Sequence, residues 1–372
     1  MIEFELQGPR SQAKSRVRLV SALCGGRFPQ AVLLEGPEGI GKKKLAIELV
    51  RALSCTDQAK RPCGRCFGCK MSANPEVVEQ WLVPLPTKCS EAPPASEVKA
   101  GSTAKTVEDY TRECVEKIVK NPFEINYLDP GAIISVSLVR ALTKRFGLKS
   151  GGIRCVIVAE ADRMNTEAAN AFLKTLEEVP PNTYFILTTS SRDALLETVR
   201  SRCLYVHLEP CSEADIVEEL KHAGVEEPGK QALGLALGSP GRAMFFEPRA
   251  ERFCELARRF VASSFTGKFS DALWLVQEEV EGGDFQEPSS ANLFLDVVSF
   301  LLIDIGLKNA GLKPRLGDVA ASLPEGIFSL SPVALNEALK AVQGTANVIS
   351  GRSVSVLVAL ESLAVKLFDG YR

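Results

Sequence analysis

Short apolar runs, glycine-bearing turns and helix-period stretches alternate through the first 210 residues. Gln30-Ala31-Val32-Leu33-Leu34 is one such run; Gly36-Pro37-Glu38-Gly39-Ile40-Gly41 follows as a turn, and Leu45, Leu49 and Leu53 then share one helical face. That order predicts the strand, loop and helix of a βαβ unit. A second unit follows, with Arg154–Val158 as strand and Asn165–Val179 as helix. Asn165 can cap this helix, Glu167 suits its first turn, and Pro180-Pro181 stops it. Tyr184–Thr188 and Leu204–Leu208 read as third and fourth strands, separated by a helical segment around Leu195–Val199. Repeated alternation of this kind predicts an α/β domain with a mostly parallel sheet covered by helices.

The stretch from about Val83 to Gly131 differs in character, being rich in Pro, Ser, Thr, Lys and Glu, and Ser90–Thr106 within it reads as a flexible insertion. From Ser212 onward strand patterns fade. Ser212-Glu213-Ala214-Asp215 starts one helix, and Gly238-Ser239-Pro240-Gly241 opens another that contains Arg242. Helical periodicity then recurs over Phe253–Val261, Ala272–Val280, Leu293–Ile305, Leu335–Val348 and Val354–Phe368, which predicts an all-helical C-terminal domain without visible chemistry.

Length and composition fit this division: 372 residues, 45% hydrophobic and 24% charged, suit two or three domains. No uninterrupted run of about 20 apolar residues is present and the N-terminus lacks a signal-peptide core, so a cytoplasmic protein without membrane contact is expected. The net charge of -2 argues against a surface that is basic everywhere. Contact with nucleic acid would then come from a local patch or a partner chain. The two histidines, His207 and His222, lie far from any cysteine cluster, which weakens histidine-based catalysis as a reading.

Candidate chemistry sits first in Gly36-x-x-x-x-Gly41-Lys42-Lys43. Gly36, Gly39 and Gly41 let backbone N–H groups curl around phosphate oxygens, the helix start adds its positive dipole, and Lys42 supplies a point charge. A nucleotide such as ATP or ADP is the implied ligand. Mg²⁺ is a poorer match, because a P-loop holds it through a Ser or Thr after the lysine, and Lys43 stands there. The carboxylate expected at the end of the next buried strand is also missing: Ala159 takes its place, and Glu160 follows in the position that would orient an attacking water. Loss of both oxygen donors predicts poor hydrolysis or none, with Glu160 a vestige. Thr189, at the tip of the third strand, is placed to sense a terminal phosphate.

A second candidate site is Cys55-x₇-Cys63-x₂-Cys66-x₂-Cys69, with glycines in its turns. Four thiolates at this spacing suit tetrahedral Zn²⁺ in a closed, structural site. The remaining seven cysteines are scattered and read as small buried residues. Ser201-Arg202-Cys203 taken alone reads as an ordinary surface ion pair.

Together, Gly36–Lys42, the four cysteines, Asn170–Pro180, Ser201-Arg202-Cys203 and Gly238–Arg242 resemble the bacterial DNA polymerase III clamp loader, and within that family its delta-prime type. The resemblance covers roughly residues 30 to 245. It implies an AAA+ nucleotide-binding domain over 1–210 with a zinc module at 54–70, a helical lid over 211–248, and a helical collar over 249–372; the flexible insertion, at about 84–131, belongs to no part of the family pattern. It further implies that Arg202 serves as an arginine finger at a neighbouring subunit's ATP site and that Arg242 matches the lid residue that faces nucleotide in active relatives, working or vestigial here. The implied partners are delta and gamma/tau subunits in a five-membered ring, with the sliding clamp and primed DNA met through that complex. An active gamma/tau-type ATPase and an AAA+ scaffold outside replication are the competing readings.

Overall fold

The computed structural model describes residues 2–26, 28–72, 74–77, 80–90, 92–93, 105–125, 128, 131–146, 152–285, 287–351 and 354–369. The chain divides into two compact units, Met1–Glu227 with Leu237–Met244, and Pro228–Ala236 with Phe245–Arg372.

The first unit runs through β1 (Glu3–Phe4), α1 (Ala13–Cys24), β2 (Ala31–Glu35), α2 (Lys42–Ser54), β3 (Lys60–Arg61), α3 (Phe67–Met71), β4 (Trp81–Leu82), α4 (Thr87–Ser90), α5 (Val107–Lys120) and α6 (Val136–Phe146). It continues with β5 (Arg154–Val158), α7 (Thr166–Glu177), β6 (Thr183–Thr189), α8 (Glu197–Arg200), β7 (Leu204–His207) and α9 (Glu213–His222). Five strands form one parallel sheet in the order β4-β5-β6-β2-β7. Val32 pairs with Ile186 on one side and Leu204 on the other. The four apolar residues of β2 and of β5 are buried, as expected for parallel strands covered on both faces. This is the α/β arrangement with a parallel sheet anticipated from the alternating pattern. Its strand order inserts β6 between the strand feeding the phosphate loop and the strand that leads to Glu160, and so places Thr189 between them.

Local chemistry accounts for the main helices. The Asn165 side chain accepts from the Ala168 N–H and Glu167 occupies the first turn, as the sequence predicts for α7. Phe172 on that helix meets Phe185 of β6 edge to face, with centroids 5.4 Å apart. The stretch 84–131 departs from expectation. Thr106 and Asp109 form a capping box that starts α5, and Cys114, Val115 and Ile118 carry one face of it into the core. Those residues are a packed amphipathic helix rather than flexible insertion; the apolar positions at i, i+1 and i+4 lay hidden among charged ones. Residues 94–104 of the expected insertion lie outside the described residues. The short strands β1, β3 and β4 carry no periodic signal at two residues each.

The second unit holds α10 (Lys230–Leu235) and α12 (Ala250–Phe265), α13 (Phe269–Glu281), α14 (Pro288–Asn309), α15 (Gly317–Ala321), α16 (Pro332–Ser350) and α17 (Val356–Asp369); α11 (Pro240–Phe246) begins in the first unit. It is the all-helical C-terminal region foreseen from periodicity. Phe246, Phe253, Phe285, Phe294 and Phe260 pack in sequence, with Phe285 and Phe294 only 4.3 Å apart between centroids. Among the described residues, α14 alone is long and apolar enough to cross a membrane by length and composition, and 61% of its most apolar window is buried within the protein. Asp296, Asp304 and Lys308 interrupt it, so it is not an unbroken apolar run in the sequence. Asp304 is fully buried and accepts from the N–H groups of Arg315 and Leu316, at 2.9 and 2.6 Å.

Candidate functional site

The phosphate loop leaves β2 at Glu35 and enters α2 at Lys42, as the sequence predicts. Gly39 and Gly41 adopt the left-handed region (φ 72° and 103°), and a side chain at either would also strike its neighbours. At Gly39 a Cβ would lie 2.6 Å from Ser239 Oγ; at Gly41 it would lie 2.8 Å from Pro9 and 2.9 Å from Phe123.

The side chains that should face a nucleotide are engaged within the chain. Lys42 is buried, and its Nζ donates to Gly36 O at 2.6 Å, Pro37 O at 2.9 Å and Ser190 Oγ at 3.0 Å. Lys43 is equally buried; its Nζ donates to Glu124 O at 3.0 Å and lies 3.7 Å from Glu160 Oε1. Burial pushes both ammonium groups below the usual lysine range, and the Glu160 carboxylate opposes that shift. Ala159 follows β5 with its N–H on Leu82 O, and the Glu160 N–H is taken by Thr188 Oγ1 at 3.0 Å. Thr189 donates to Asp162 Oδ1 at 2.7 Å.

The start of α11 closes directly on the loop. Ser239 Oγ donates to Glu38 O at 2.7 Å, and the Gly241 N–H donates to Gly39 O at 3.0 Å. Arg242 starts its side chain from this same turn, with its own N–H on Ser239 Oγ. The predicted residues Lys42, Lys43, Glu160, Thr189 and Arg242 therefore gather around one loop. Sequence reasoning missed Ser190, Glu124 and Phe123. Ser190 directly follows the strand tip and was findable on that ground, whereas Glu124 and Phe123 lie in the stretch taken for an insertion. The set does not fit a magnesium–nucleotide complex: the loop lysine is turned onto its own loop, and neither residue 43 nor residue 159 offers an oxygen ligand.

Arg202 takes different partners. Its guanidinium donates to Thr198 O at 3.0 Å and to Glu177 Oε1 at 2.8 Å, with about two fifths of the side chain exposed. This is the surface ion pair that Ser-Arg-Cys suggests when read alone.

Cys55, Cys63, Cys66 and Cys69 converge, with all four Sγ atoms within 4.8 Å of one another. Cys66 Sγ lies 3.8 Å from Cys55 Sγ, which matches the edge of a tetrahedron with metal–sulfur bonds of about 2.3 Å. Backbone N–H groups of Cys63, Cys66 and Cys69 point at the sulfurs of Cys55, Cys63 and Cys66. N–H groups of Thr56 and Cys69 pull the Cys66 thiol down to about 6, and those of Arg65 and Cys66 lower Cys63. Burial raises Cys55, and pushes Cys69 up to about 12. Gly68 fixes this knuckle to the end of α2, since a Cβ there would fall 2.0 Å from Ser54 O. On its other side β3 pairs with β1, and Lys60 forms an ion pair with Glu5. The donor set suits a four-coordinate metal such as zinc. Of the remaining cysteines, Cys114, Cys155 and Cys254 are buried as expected, whereas Cys24 is exposed.

A family model described as DNA polymerase III, delta subunit, matches residues 11–212. The chain belongs to this family. Members similar to it include DNA polymerase III subunit delta' of Escherichia coli (strain K12), 31% identical over 61% of this chain and 57% of that protein, and delta' of Haemophilus influenzae, 29% identical over 62% and 58%. Subunit tau of E. coli is 27% identical over 73% of this chain and 32% of its own length. The matched region thus spans little more than half of the delta' relatives and a third of tau. These matches bear out the resemblance to the DNA polymerase III clamp loader at the level of the family. Delta' and tau subunits both match, so likeness alone does not separate the two types.

Proposed function

We propose that the chain is a delta-prime-type subunit of the DNA polymerase III clamp loader, helping to place the sliding clamp on primed DNA without turning over ATP at its own P-loop. The observation that carries this reading is the closed phosphate loop, with Lys42 on Gly36 O, Pro37 O and Ser190 and Lys43 against Glu160. A gamma/tau-type ATPase needs a free loop lysine, a hydroxyl after it and a carboxylate at the end of β5. None of the three is available here.

The contribution to turnover would then be made at another subunit's site, through Arg202. Its pair with Glu177 is solvent-exposed and worth at most about 1 kcal/mol, so the guanidinium fork can exchange a carboxylate for a phosphate at little cost. The four thiols would hold zinc as a structural clamp on the end of α2, with no open position for water. Delta and gamma/tau subunits would be the partners in a five-membered ring, assembled through the helices of residues 249–372, and the setting would be the cytoplasm. In a reconstituted assembly, Arg202→Ala should leave subunit association intact and lower DNA-stimulated ATP hydrolysis at least severalfold. Unchanged turnover would remove Arg202 from this role, and rapid phosphate release by the isolated chain would restore the gamma/tau reading.

A further inference from the structure

The residue after the loop lysine and a carboxylate at the tip of the strand beyond β6 are the two places from which a P-loop holds its divalent cation. In this chain the first of those places sends a positive charge toward Glu160, the residue that follows the second. The Lys43 side chain leaves the first turn of α2, reaches the end of β5 and stops 3.7 Å from Glu160 Oε1, with Glu124 O accepting from the ammonium at 3.0 Å. Lys43 and Glu160 are 3% and 7% exposed, so the pair is screened from water on both sides. Glu160 itself is held in the left-handed region (φ 47°), unusual for a residue with a side chain, and its N–H is tied to Thr188. A carboxylate fixed at such depth requires a compensating positive charge.

We propose that the Lys43 ammonium is a permanent, protein-supplied substitute for the divalent cation of this site. It neutralises Glu160, takes the Glu124 carbonyl as an oxygen donor and leaves no room for a metal ion. With Lys42 turned onto the loop carbonyls, the site then carries its own cations and keeps its shape with no nucleotide bound. This deepens, and rests on, the reading of the chain as a subunit that does not hydrolyse ATP.

The test uses the isolated chain and thermal melting, without ATP. Lys43→Thr removes the ammonium and restores a hydroxyl, and should melt several degrees below the parent. Millimolar magnesium chloride should return part of that loss in Lys43→Thr, and should leave both the parent chain and Lys43→Thr/Glu160→Gln unmoved. If Lys43→Thr does not fold without the salt, refolding yield against magnesium concentration replaces the melting point. In a second arm, Lys43→Met/Glu160→Gln should melt above Lys43→Met, because the uncharged pair no longer leaves a buried carboxylate without this counter-charge. A magnesium response shared by all three chains or absent from Lys43→Thr, or a double variant no more stable than Lys43→Met, overturns the proposal. Neither result touches Arg202, so the proposed function stands or falls separately on the assembly assay.

Discussion

Zinc binding at the four-cysteine cluster should depend steeply on pH, with a slope that the environments of its thiols fix. A thiol must lose its proton to ligate, so protons compete with the metal and lower pH weakens binding. Cys69, pushed up to about 12, and Cys55, raised by burial, both hold their protons at neutral pH in the metal-free chain. Cys66, drawn down to about 6, has lost its own, and Cys63 is lowered in the same direction. Cys55 and Cys69 alone make at least two protons displaced on binding near pH 7, so each unit of pH should change the apparent affinity at least about 100-fold. Below pH 6 Cys66 regains its proton, and the slope should steepen by a further proton. The assay is competition with a chromophoric chelator of known proton affinity between pH 5.5 and 8, together with metal content per chain. A slope of one or less across this range would refute the assignment of the proton-bearing thiols. A metal content far below one per chain would refute the site itself.

Substitutions at two further positions probe packing outside the cation question, in addition to those at Arg202 and Lys43. Gly241→Ala would place a Cβ 2.0 Å from Phe123 O and 2.7 Å from Gly39 Cα. It should cost about 3 kcal/mol, read as faster hydrogen exchange in residues 36–54 by mass spectrometry; unchanged exchange would contradict the direct closure of α11 on the loop. Asp304→Ala should remove the acceptor shared by the Arg315 and Leu316 N–H groups and destabilise the second unit by about 2–4 kcal/mol. Asp304→Asn, which keeps one acceptor oxygen, should fall between the two, and equal urea midpoints for all three chains would show that these bonds contribute nothing.

How much of this was legible in the sequence depended on the reach of each interaction. The strands β2, β5, β6 and β7 and the helices α2 and α7 announced themselves through continuous apolar runs, a capping Asn165 and the Pro180-Pro181 stop, all of them local signals. The four cysteines were legible for the same reason, because fifteen residues of chain contain the whole ligand set. α5 was missed because its three core residues are set among Glu, Lys and Arg, which biased the reading toward insertion. The substitutions at 43 and 159 could be seen as losses, yet not what replaced them. Lys43 meets Glu124 and Glu160 from 81 and 117 positions away, and no pattern along the chain predicts where a long flexible ammonium will stop. Arg202 shows the converse. Its local partners, Thr198 and Glu177, follow from the fold, while its proposed role depends on a surface this chain does not contain.

The glycines of the phosphate loop are required here whether or not a phosphate ever binds. At Gly39 a side chain would collide with Ser239, Ile125 and the Gly241 backbone, and at Gly41 with Pro9 and Phe123. Those collisions are with the protein's own residues, and each neighbour is itself anchored. Ser239 and Gly241 hydrogen-bond to loop carbonyls, while Arg10 and Ser11, next to Pro9, place their N–H groups on the buried Glu219 of α9. A loop shaped to cradle an anion has in this chain become a packing surface for the N-terminal segment, the turn at Phe123 and the start of α11. Retention of Gly36-x-x-x-x-Gly41-Lys42 is therefore no evidence of nucleotide turnover. The physical content of that motif is a backbone with bare Cα positions and inward-facing polar groups, and a second set of internal contacts makes the same demand.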